Sequence, residues 1–538
     1  MQNHRKFGRA GVTVALCALV SLLSLLASAA SAAVVPRAAK PQTGGTVILG
    51  GFLSATLDPG NPAWTQGGLA LGVNIFGSLF TSTKATGGNP LGIDPDLATG
   101  YEYAKGFKTL TLHIRPHVHF QDGTPLNAAA VKANFERSVP AGATTVSQYF
   151  SLITRMTVTN ANTLVVHFKS PDANFINALA DTAAGLMVSP TALSRMGEAA
   201  FSLKPVGAGA FEVVSDQPSQ QLMLKRFPGY WDAKHVYLSN VEYLNVGTEA
   251  QTELADLVSN TVQSLVLTTT TAPSVLQQAL SKPDLTAIKG GNLMVNFLQI
   301  NTFRAPFNNK LAREAIDYCT DRNAINNNVD GGYSAPGWVF AGYNGLYYPK
   351  GGLAAAKKMQ PYQYNPVKGK QIVQQLGGLS FTFIGGTGQT EVTLQALQQM
   401  WQACGMNVTV QPVAPAQQQQ NYASGNYQMM LGGSGGIANP AVSTDIGYLQ
   451  YTSSLGHYGF DSQKIMNLIN ETNQTLNSAR LYTMWEQIYS EVNQLAVAIP
   501  IVTARNIFLQ NHCLKGDVGL IAGLVVTNAY LACTPTGA

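Results

Sequence analysis

The sequence predicts an α/β fold built from two lobes. Its 538 residues exceed what one hydrophobic core usually organises. Strand-like and helix-like segments alternate through the middle of the chain, as in βαβ units on a parallel or mixed sheet. One unit is complete within residues 381–413. It comprises a strand at 381–384, a glycine-rich loop, a helix with Leu394, Leu397 and Trp401 on one face, and a returning strand at Val408 and Val410.

Other local patterns predict further elements. Residues 46–49 form an apolar strand, and residues 110–115 alternate between apolar and polar side chains in a second one. Asn127 is placed to cap a helix over residues 128–138. Two later helices carry apolar stripes, and the second leads into an apolar strand at 496–502. The stripes are Leu311, Ala315 and Cys319, and Leu481, Met484, Ile488 and Val492.

The first 32 residues have the pattern of a secretory signal peptide. Arg5, Lys6 and Arg9 precede an uncharged apolar run over residues 11–26, and small residues with two A-x-A sites follow. Retention of this run as a membrane anchor is the alternative, because it approaches the length that spans a bilayer. Residues 33–43 are rich in proline and alanine and are expected to form a tether.

The charge balance excludes some partners. Removal of residues 1–32 takes away three of the 33 basic residues and none of the 28 acidic ones, which leaves a net charge of about +2. A nearly neutral chain without a basic run has no electrostatic footprint for nucleic acid or anionic lipid. We therefore expect no nucleic-acid partner.

The cysteines raise the question of disulfides. Cys319, Cys404, Cys513 and Cys533 remain after the leader, and an oxidising compartment permits disulfides. Cys513 and Cys533 are the better candidate pair, because only a short loop-rich stretch separates them. Cys319 and Cys404 lie on apolar helix faces, where we expect buried free thiols. No C-x-x-C spacing suggests a zinc or redox site.

Residues 112–128 carry a family resemblance. They read LHIRPHVHFQDGTPLNA. This resembles the signature of family 5 extracellular solute-binding proteins, approximately L-x-x-R-x-x-V-x-F-x-D-G-x-P-x-x-A, at every fixed position. We expect Val118 and Phe120 in the core and a turn at Asp122-Gly123. Ala130 departs from the family, which usually has an acidic residue there.

Supporting matches follow in the order that the family requires. They are DPDLA at 94–98, PVGAGAF at 205–211, RFPGYW at 226–231, and Asn301 with PFN at 306–308 and REAI at 313–316. Together the matches extend over residues 44–502, which is nearly the whole chain after the leader.

The resemblance implies a periplasmic-binding-protein-like fold, type II and of the large cluster C type, with a hinge between the lobes. The predicted boundaries are lobe I at 44–289 with an inserted subdomain at about 76–204, lobe II at 290–503, and a return to lobe I at 504–538. The chain should cross between lobes near Gly290-Gly291 and near residues 500–504. Hinge closure around a ligand is the mechanism that such a fold supports.

The function implied is that of an exported, periplasmic or cell-surface, substrate-binding component of an ABC importer. It would capture a peptide or peptide-like small polar solute and deliver it to an ABC permease, as a monomer, with no cofactor and no catalysis. The alternatives are a nickel or metal-chelate binder, or an oligosaccharide binder, of the same fold. A secreted serine hydrolase is the alternative from another class.

Candidate ligand contacts come from both lobes, because clefts combine aromatic side chains with a few oriented polar groups. They are Asn61, Trp64 and Thr65 from lobe I, and Asn301, Trp338, Gly433 and Ser434 from lobe II. Core packing is the other interpretation of the two tryptophans. Asn61 could equally be a turn former beside Pro62.

Peptide binders of the family hold the ligand's α-amino group with an acidic residue just after a strand that corresponds to residues 427–431. Here residues 432–440 read GGSGGIANP, and no carboxylate occurs before Asp445. A neutral or capped peptide, a sugar or another small polar molecule is therefore favoured over a free peptide.

Two motifs suggest other chemistry. Residues 432–436 satisfy G-x-S-x-G, the nucleophile-elbow pattern, but residues 437–440 do not predict the helix that must follow. His113, His117 and His119 resemble a metal cluster, yet Pro116 interrupts the alternation that would align them. We expect neither a catalytic site nor a metal site.

Overall fold

The computed structural model describes most of the chain after the leader. The described residues are 41–51, 53, 56–61, 64, 68–83, 86, 89, 91–140, 146–247, 250–267, 273–289, 294–343, 345–387, 389–433, 439–442, 462–504, 507–520 and 523–532. The predicted signal peptide, Thr65, Ser434, Asp445 and Cys533 lie outside them.

The strands are numbered in chain order. They are β1 Thr46–Gly50, β2 Phe80–Ser82, β3 Ile93–Pro95, β4 Ala98–Tyr103, β5 Thr109–Ile114, β6 Ile153–Asn160, β7 Thr163–Phe168, β8 Phe211–Gln217, β9 Gln221–Arg226, β10 Asn240–Leu244, β11 Ser264–Leu267, β12 Leu285–Lys289, β13 Met294–Ile300, β14 Ala335–Pro336, β15 Ser380–Gly385, β16 Asn407–Pro412, β17 Met429–Gly433, β18 Ala498–Ala504, β19 Ile507–Asn511, β20 Leu514–Lys515, β21 Val518–Leu520, β22 Gly523–Val525 and β23 Tyr530–Leu531.

The helices are numbered in the same way. They are α1 Leu69–Phe76, α2 Ala128–Ser138, α3 Ser147–Phe150, α4 Phe175–Asp181, α5 Pro190–Met196, α6 Glu198–Leu203, α7 Ala250–Val258, α8 Pro273–Leu280, α9 Lys310–Tyr318, α10 Arg322–Ala324, α11 Gly352–Lys358, α12 Pro366–Gln375, α13 Gln389–Ala403, α14 Pro415–Ser424, α15 Gln463–Thr472 and α16 Ser478–Leu495. In the described part of the chain, no helix combines the length and the apolar character needed to cross a membrane.

Two large sheets organise the unit Gln42–Ala538. The first has seven strands in the order β12-β19-β11-β1-β10-β9-β8, and the second has six in the order β14-β18-β13-β17-β15-β16. Strands from residues 46–289 and β19 build the first sheet, and strands from residues 294–504 build the second. A separate four-stranded sheet, β4-β5-β7-β6, lies between β1 and β8 in sequence. The architecture is the predicted α/β type.

The local predictions are confirmed where the signal was periodic. Leu110, Leu112 and Ile114 of β5 are at most 1% exposed, since every second side chain of a strand points to the same face. Helix α2 begins where predicted, and the Asn127 Oδ1 atom accepts a hydrogen bond from the Ala130 backbone N–H at 3.0 Å. Val118 is also buried, at 3% exposed.

The predicted βαβ unit is β15, α13 and β16, with β15 and β16 paired in parallel from Ser380 opposite Asn407. Trp401 of α13 is fully buried, and its ring centroid lies 5.0 Å from that of Phe383 on β15. Strand β17 begins two residues later than predicted. Its first residue, Met429, lies opposite Ile300 at the end of β13, and the Gln428 oxygen still accepts from the Asn301 backbone N–H at 2.9 Å.

The expectation of free thiols at Cys319 and Cys404 is wrong. The two residues form a disulfide, with Cα atoms 6.4 Å apart and 85 positions between them in sequence. Both side chains are buried, as the apolar helix faces indicated. Cys319 follows the end of α9 and Cys404 follows the end of α13, so the bond joins two helices that pack on the second sheet. Cys513 is also disulfide-bonded, while Cys533 lies outside the described residues.

Candidate functional site

Residues from the signature and from two of the supporting matches meet in the fold. Asp96, Arg115 and Trp231 come from three separate motifs, and the Trp231 Nε1 atom donates to the Asp96 Oδ1 atom at 3.0 Å. The Arg115 guanidinium lies 3.7 Å from the Trp231 ring centroid, and its Nε atom donates to the Asp96 backbone oxygen at 2.7 Å. Burial raises the pKa of Asp96 to about 6, although a backbone hydrogen bond from Ser78, the bond from Trp231 and the charge of Arg115 oppose the shift. Trp231 therefore ties the segment at 226–231 to Asp96 and Arg115.

Gln121, between Phe120 and Asp122 of the signature, fixes the motif at 205–211. Its Nε2 atom donates to the backbone oxygens of Ile75 at 2.9 Å and Phe211 at 2.8 Å, and its Oε1 atom accepts from the Gly207 N–H at 2.9 Å. An added Cβ at Gly209 would lie 2.6 Å from the backbone oxygen of Asn74. The glycine is needed because the two backbones approach this closely.

The lobe I candidates lie in the loop between β1 and α1. The Asn61 backbone N–H donates to the Asp58 oxygen at 3.0 Å, and the Asn61 oxygen accepts from the Trp64 N–H at 2.9 Å. Trp64 is only 2% exposed, and its ring packs over Gly68 and Gly72 of the α1 region. Among the described residues its indole N–H has no hydrogen-bond partner. Trp64 is thus a core residue with one unused donor.

The lobe II candidates are not brought together. The Asn301 Nδ2 atom donates to the Gly425 oxygen at 3.1 Å, and the Asn301 Oδ1 atom accepts from the Phe303 N–H at 3.1 Å, so its side chain stabilises a turn. Gly433 is exposed and lies opposite Asn296, at the other end of the β13–β17 ladder from Asn301. Any shared pocket would have to extend along the whole ladder.

Trp338 is 6% exposed and is held by its surroundings. The Arg322 guanidinium lies 5.4 Å and the Lys357 ammonium 5.3 Å from the ring centroid. The Trp338 backbone oxygen accepts a hydrogen bond from the Asn493 Nδ2 atom at 2.9 Å. These contacts fix the position of the tryptophan, and its contact with a ligand stays a prediction.

The segment that follows β17 meets helix α4. Asn439 is fully buried, and its backbone N–H donates to the Asp181 carboxylate at the end of α4, which also accepts from the Ser82 hydroxyl. Burial raises the pKa of Asp181 to about 6. The residues at 432–440 contain no carboxylate of their own, so α4 supplies one to this segment. Sequence reasoning missed Asp181 because it lies more than 250 positions earlier in the chain.

A second contact joins the same two regions. The Asn174 Nδ2 atom, at the start of α4, donates to the Thr472 hydroxyl at 3.1 Å and to the Asn473 Oδ1 atom at 2.7 Å. The Ala173 backbone N–H donates to the Asn473 oxygen at 2.9 Å. Helix α4 is therefore held at both ends by residues that follow β17.

Aromatic side chains pack beside this contact in a group that we call the tyrosine cluster. Its members are Tyr347, Tyr348, Tyr482, Trp485 and Tyr489. The Tyr347 and Tyr482 ring centroids are 5.2 Å apart, and those of Trp485 and Tyr489 are 5.8 Å apart. Burial raises the pKa of Tyr489, and so do the neighbouring Tyr348, Tyr347 and Tyr482 hydroxyls. The pKa of Tyr347 is raised by burial and, to a smaller extent, by Tyr482 and Asp181.

Several buried hydrogen-bond donors in and beside the cluster lack an acceptor in the described part of the chain. Among the described residues, the hydroxyls of Tyr347, Tyr348 and Tyr489 and the indole N–H of Trp485 have no hydrogen-bond partner, and neither does the Asn439 Nδ2 atom. These side chains are at most 7% exposed. Each buried donor left without an acceptor costs about 1–3 kcal/mol. Five such donors would offset most of the net stability of a typical domain, about 5–15 kcal/mol.

Two sequence signals could have indicated this cluster. Tyr347 and Tyr348 stand together in a glycine- and proline-rich loop, where a pair of large aromatic residues is unusual. Tyr482, Trp485 and Tyr489 follow the spacing i, i+3 and i+7, directly beside the apolar stripe of α16.

The metal-cluster and nucleophile-elbow patterns depend on three histidines and on Ser434. The His113 Nε2 atom lies 3.7 Å from the Glu102 carboxylate, while His117 and His119 are exposed. Within the described ranges, no three His, Cys, Asp or Glu side chains are grouped as a metal site requires. Ser434 of the G-x-S-x-G pattern lies outside those ranges.

Comparison with known proteins defines the class. The sequence matches the family described as bacterial extracellular solute-binding proteins, family 5 Middle, over residues 92–454. The chain belongs to this family of solute-binding proteins. Solved structures that resemble it are two-lobed periplasmic binding proteins, so the predicted fold class is confirmed.

The names of individual relatives refer to different ligands. The glutathione-binding protein GsiB of Salmonella typhimurium is 29% identical over 337 residues, which are 62% of this chain and 61% of that protein. The chain thus matches less than two thirds of the length of this relative. DppA of Helicobacter pylori in complex with the peptide STSA has a TM-score of 0.76 at 18% identity, covering 91% of this chain and 99% of DppA. NikA of Staphylococcus aureus in complex with Ni(L-His)2 has a TM-score of 0.72 at 17% identity, covering 90% of this chain and 99% of NikA.

Proposed function

We propose that this protein is the exported substrate-binding component of an ABC importer. It captures a peptide or peptide-like small polar solute between its two lobes and delivers it to a membrane permease. It acts as a monomer and does not alter the solute chemically. The names of GsiB, DppA and NikA support a small polar ligand or complex, since they refer to glutathione, a peptide and a nickel–histidine complex.

The observation that carries the proposal is the geometry of the two chain crossings. Lys289 at the end of β12 pairs with Ile507 at the start of β19, and Met294 at the start of β13 pairs with Ala504 at the end of β18. The two crossings, at residues 290–293 and 505–506, therefore begin and end at paired residues. The paired residues that flank these two crossings support a hinge there, since a few loop or element-terminal residues can absorb the torsion changes of domain closure.

The sheets support the lobe boundaries that we propose to within one residue, since Ala504 still pairs with Met294 in the second sheet. Lobe I comprises residues 44–289 with the insertion at about 76–204 and the return at 504–538, and lobe II comprises residues 290–503. Ligand binding would then shift an equilibrium between open and closed arrangements of the lobes. The ligand's difference in affinity for the two arrangements limits the size of this shift. The leader at residues 1–32 would direct export to the periplasm or cell surface.

The test is ligand-induced stabilisation and closure. The purified protein is stripped of endogenous ligand by denaturation and refolding. It is then screened by thermal shift against peptides, oligosaccharides and nickel chelates. A ligand at 100 times its Kd should raise the free energy of unfolding by about 2.7 kcal/mol. Small-angle X-ray scattering should show a smaller radius of gyration with that ligand, and mass spectrometry should recover the ligand unchanged. Turnover of any ligand, or no binding from any class, would contradict the proposal.

A further inference from the structure

The tyrosine cluster and Asn439 contain more hydrogen-bond donors than their surroundings can satisfy. The Trp485 Nε1 and Asn439 Nδ2 atoms can only donate, and the three hydroxyls of Tyr347, Tyr348 and Tyr489 can each donate one bond. In the described part of the chain none of these five groups has a partner. Buried polar groups of folded proteins nearly always have one.

These donors are linked to one another by a series of neighbouring side chains. Asn439 contacts Asp181 through its backbone, and the Asp181 charge acts on the Tyr347 hydroxyl. The Tyr489 hydroxyl is in turn within electrostatic range of the Tyr347 and Tyr348 hydroxyls. The donors come from three separate segments of the chain, at 347–348, 439 and 485–489. Each segment is linked to Asp181 at the end of α4, directly through Asn439 or through the Tyr347 hydroxyl and, beyond it, the Tyr489 and Trp485 rings.

The geometry points to the tyrosine cluster and Asn439 as the wall that recognises the ligand, and to an uncharged, oxygen-rich solute as its occupant. Carbonyl or hydroxyl oxygens of such a solute would accept hydrogen bonds from Tyr347, Tyr348, Tyr489, Trp485 and Asn439. This inference rests on the proposed binding function and specifies the chemical class of the solute. A blocked peptide and an oligosaccharide share the required chemistry.

The charges around the cluster favour an uncharged group. An anion would face the Asp181 carboxylate, and Lys350, whose ammonium lies 4.8 Å from the Tyr482 ring centroid, has an exposed side chain. An ammonium group could not accept from the Trp485 and Asn439 donors, which only an acceptor satisfies. The acceptors it would meet are the tyrosine hydroxyls and the Asp181 carboxylate, which already accepts from Ser82 and Asn439.

The experiment separates a ligand role from a structural role. Tyr347→Phe and Tyr489→Phe each remove an unpartnered hydroxyl, so the ligand-free variants should unfold at the same temperature as the parent or higher. The loss of one neutral hydrogen bond to the ligand should weaken binding by about 2- to 13-fold. Tyr362→Phe is the matched control, because the buried Tyr362 hydroxyl donates to the Gln494 oxygen at 2.8 Å. That control should lower the unfolding temperature and leave affinity unchanged.

The probes are N-acetylated and amidated trialanine, free trialanine and maltotriose, with affinities measured by calorimetry. The inference expects binding of the blocked peptide or of maltotriose, and these two arms distinguish the two sources. It is overturned if free trialanine binds more tightly than its blocked form, since an ammonium group would then be recognised. It is also overturned if Tyr347→Phe and Tyr489→Phe retain parental affinity for the probe that binds.

The outcomes also distinguish this inference from the proposed function. Preferred binding of free trialanine would leave the receptor function intact and refute only the uncharged ligand class. A protein that binds none of the three probes, and from which mass spectrometry extracts no co-purified compound, would refute both. A charged co-purified compound would refute the inference alone.

Discussion

The disulfide between Cys319 and Cys404 should be a major source of stability for the second sheet and its helices. Replacement of both residues by alanine opens a loop of 85 residues. The chain-entropy relation, with a loss of 2.1 + 1.5R ln n cal/mol/K for a loop of n residues, gives about 4.6 kcal/mol at 25 °C. For a cooperative unit of about 200 residues this corresponds to a fall in Tm of roughly 10 °C or more.

The assay is urea or thermal unfolding, followed by tryptophan fluorescence, of the parent, Cys319→Ala, Cys404→Ala and the double variant. Each single substitution opens the same loop, so both should cost nearly as much as the double substitution, and the effects should be strongly non-additive. A reductant should add little to the double variant beyond its effect on the disulfide of Cys513. Additive losses would show that the two side chains contribute only by packing. Unchanged unfolding of the double variant would refute the entropic reasoning.

Three other substitutions, the first with a matched control, test the reasoning about the fold. Gly209→Ala should lower the free energy of unfolding by about 2 kcal/mol or more, because the added Cβ would meet backbone atoms. Gly100→Ala is the control: the space around Gly100 is open, so this substitution should lower the free energy of unfolding by less than about 1 kcal/mol. Burial raises the pKa of Asp172 from 3.8 to about 7, so the folded state binds the proton of this carboxyl more tightly than the unfolded state does. Protonation of Asp172 therefore stabilises the fold fully below pH 4, and this contribution is lost as the pH rises through 7. Asp172→Asn should remove up to about 4 kcal/mol of this pH dependence, measured as denaturant midpoints between pH 4 and 8; parallel curves for variant and parent would contradict this. Trp231→Phe removes a donor to the buried Asp96 carboxylate and should destabilise the protein by about 1–3 kcal/mol at pH 8 and by less at pH 5; an equal loss at both values would indicate lost packing alone.

The candidate site shows where sequence reasoning reached its limit. Trp64 and Trp338 are aromatic residues in turn-rich loops, which is the pattern of a cleft; both are buried, and their contact with a ligand stays a prediction. Asn301 follows a strand, but it follows the end of β13 that is far from Gly433. Sequence pattern identifies the type of each residue and its local element. It does not show whether the loops that follow two distant strands lie at the same end of the sheet.

The absence of an acidic residue at 432–440 was visible in the sequence. What could not be foreseen is that Asp181 contacts this segment from another part of the chain. Likewise, periodicity correctly indicated that Cys319 and Cys404 are buried. It carries no information on which buried side chains face each other, so it could not indicate their bond.

The sequence by itself determined the elements whose causes are local: the cap of Asn127 on α2, the alternating strand β5, the β15-α13-β16 unit and the family signature. Within such a segment each side chain interacts with neighbours a few positions away, and the periods of helix and strand decide which face is buried. The tertiary structure alone decided the meetings of distant residues, among them Cys319 with Cys404, Asp96 with Trp231 and Asp181 with Asn439. These depend on the path of the chain between them, which is set by the packing of two whole sheets and by no local pattern.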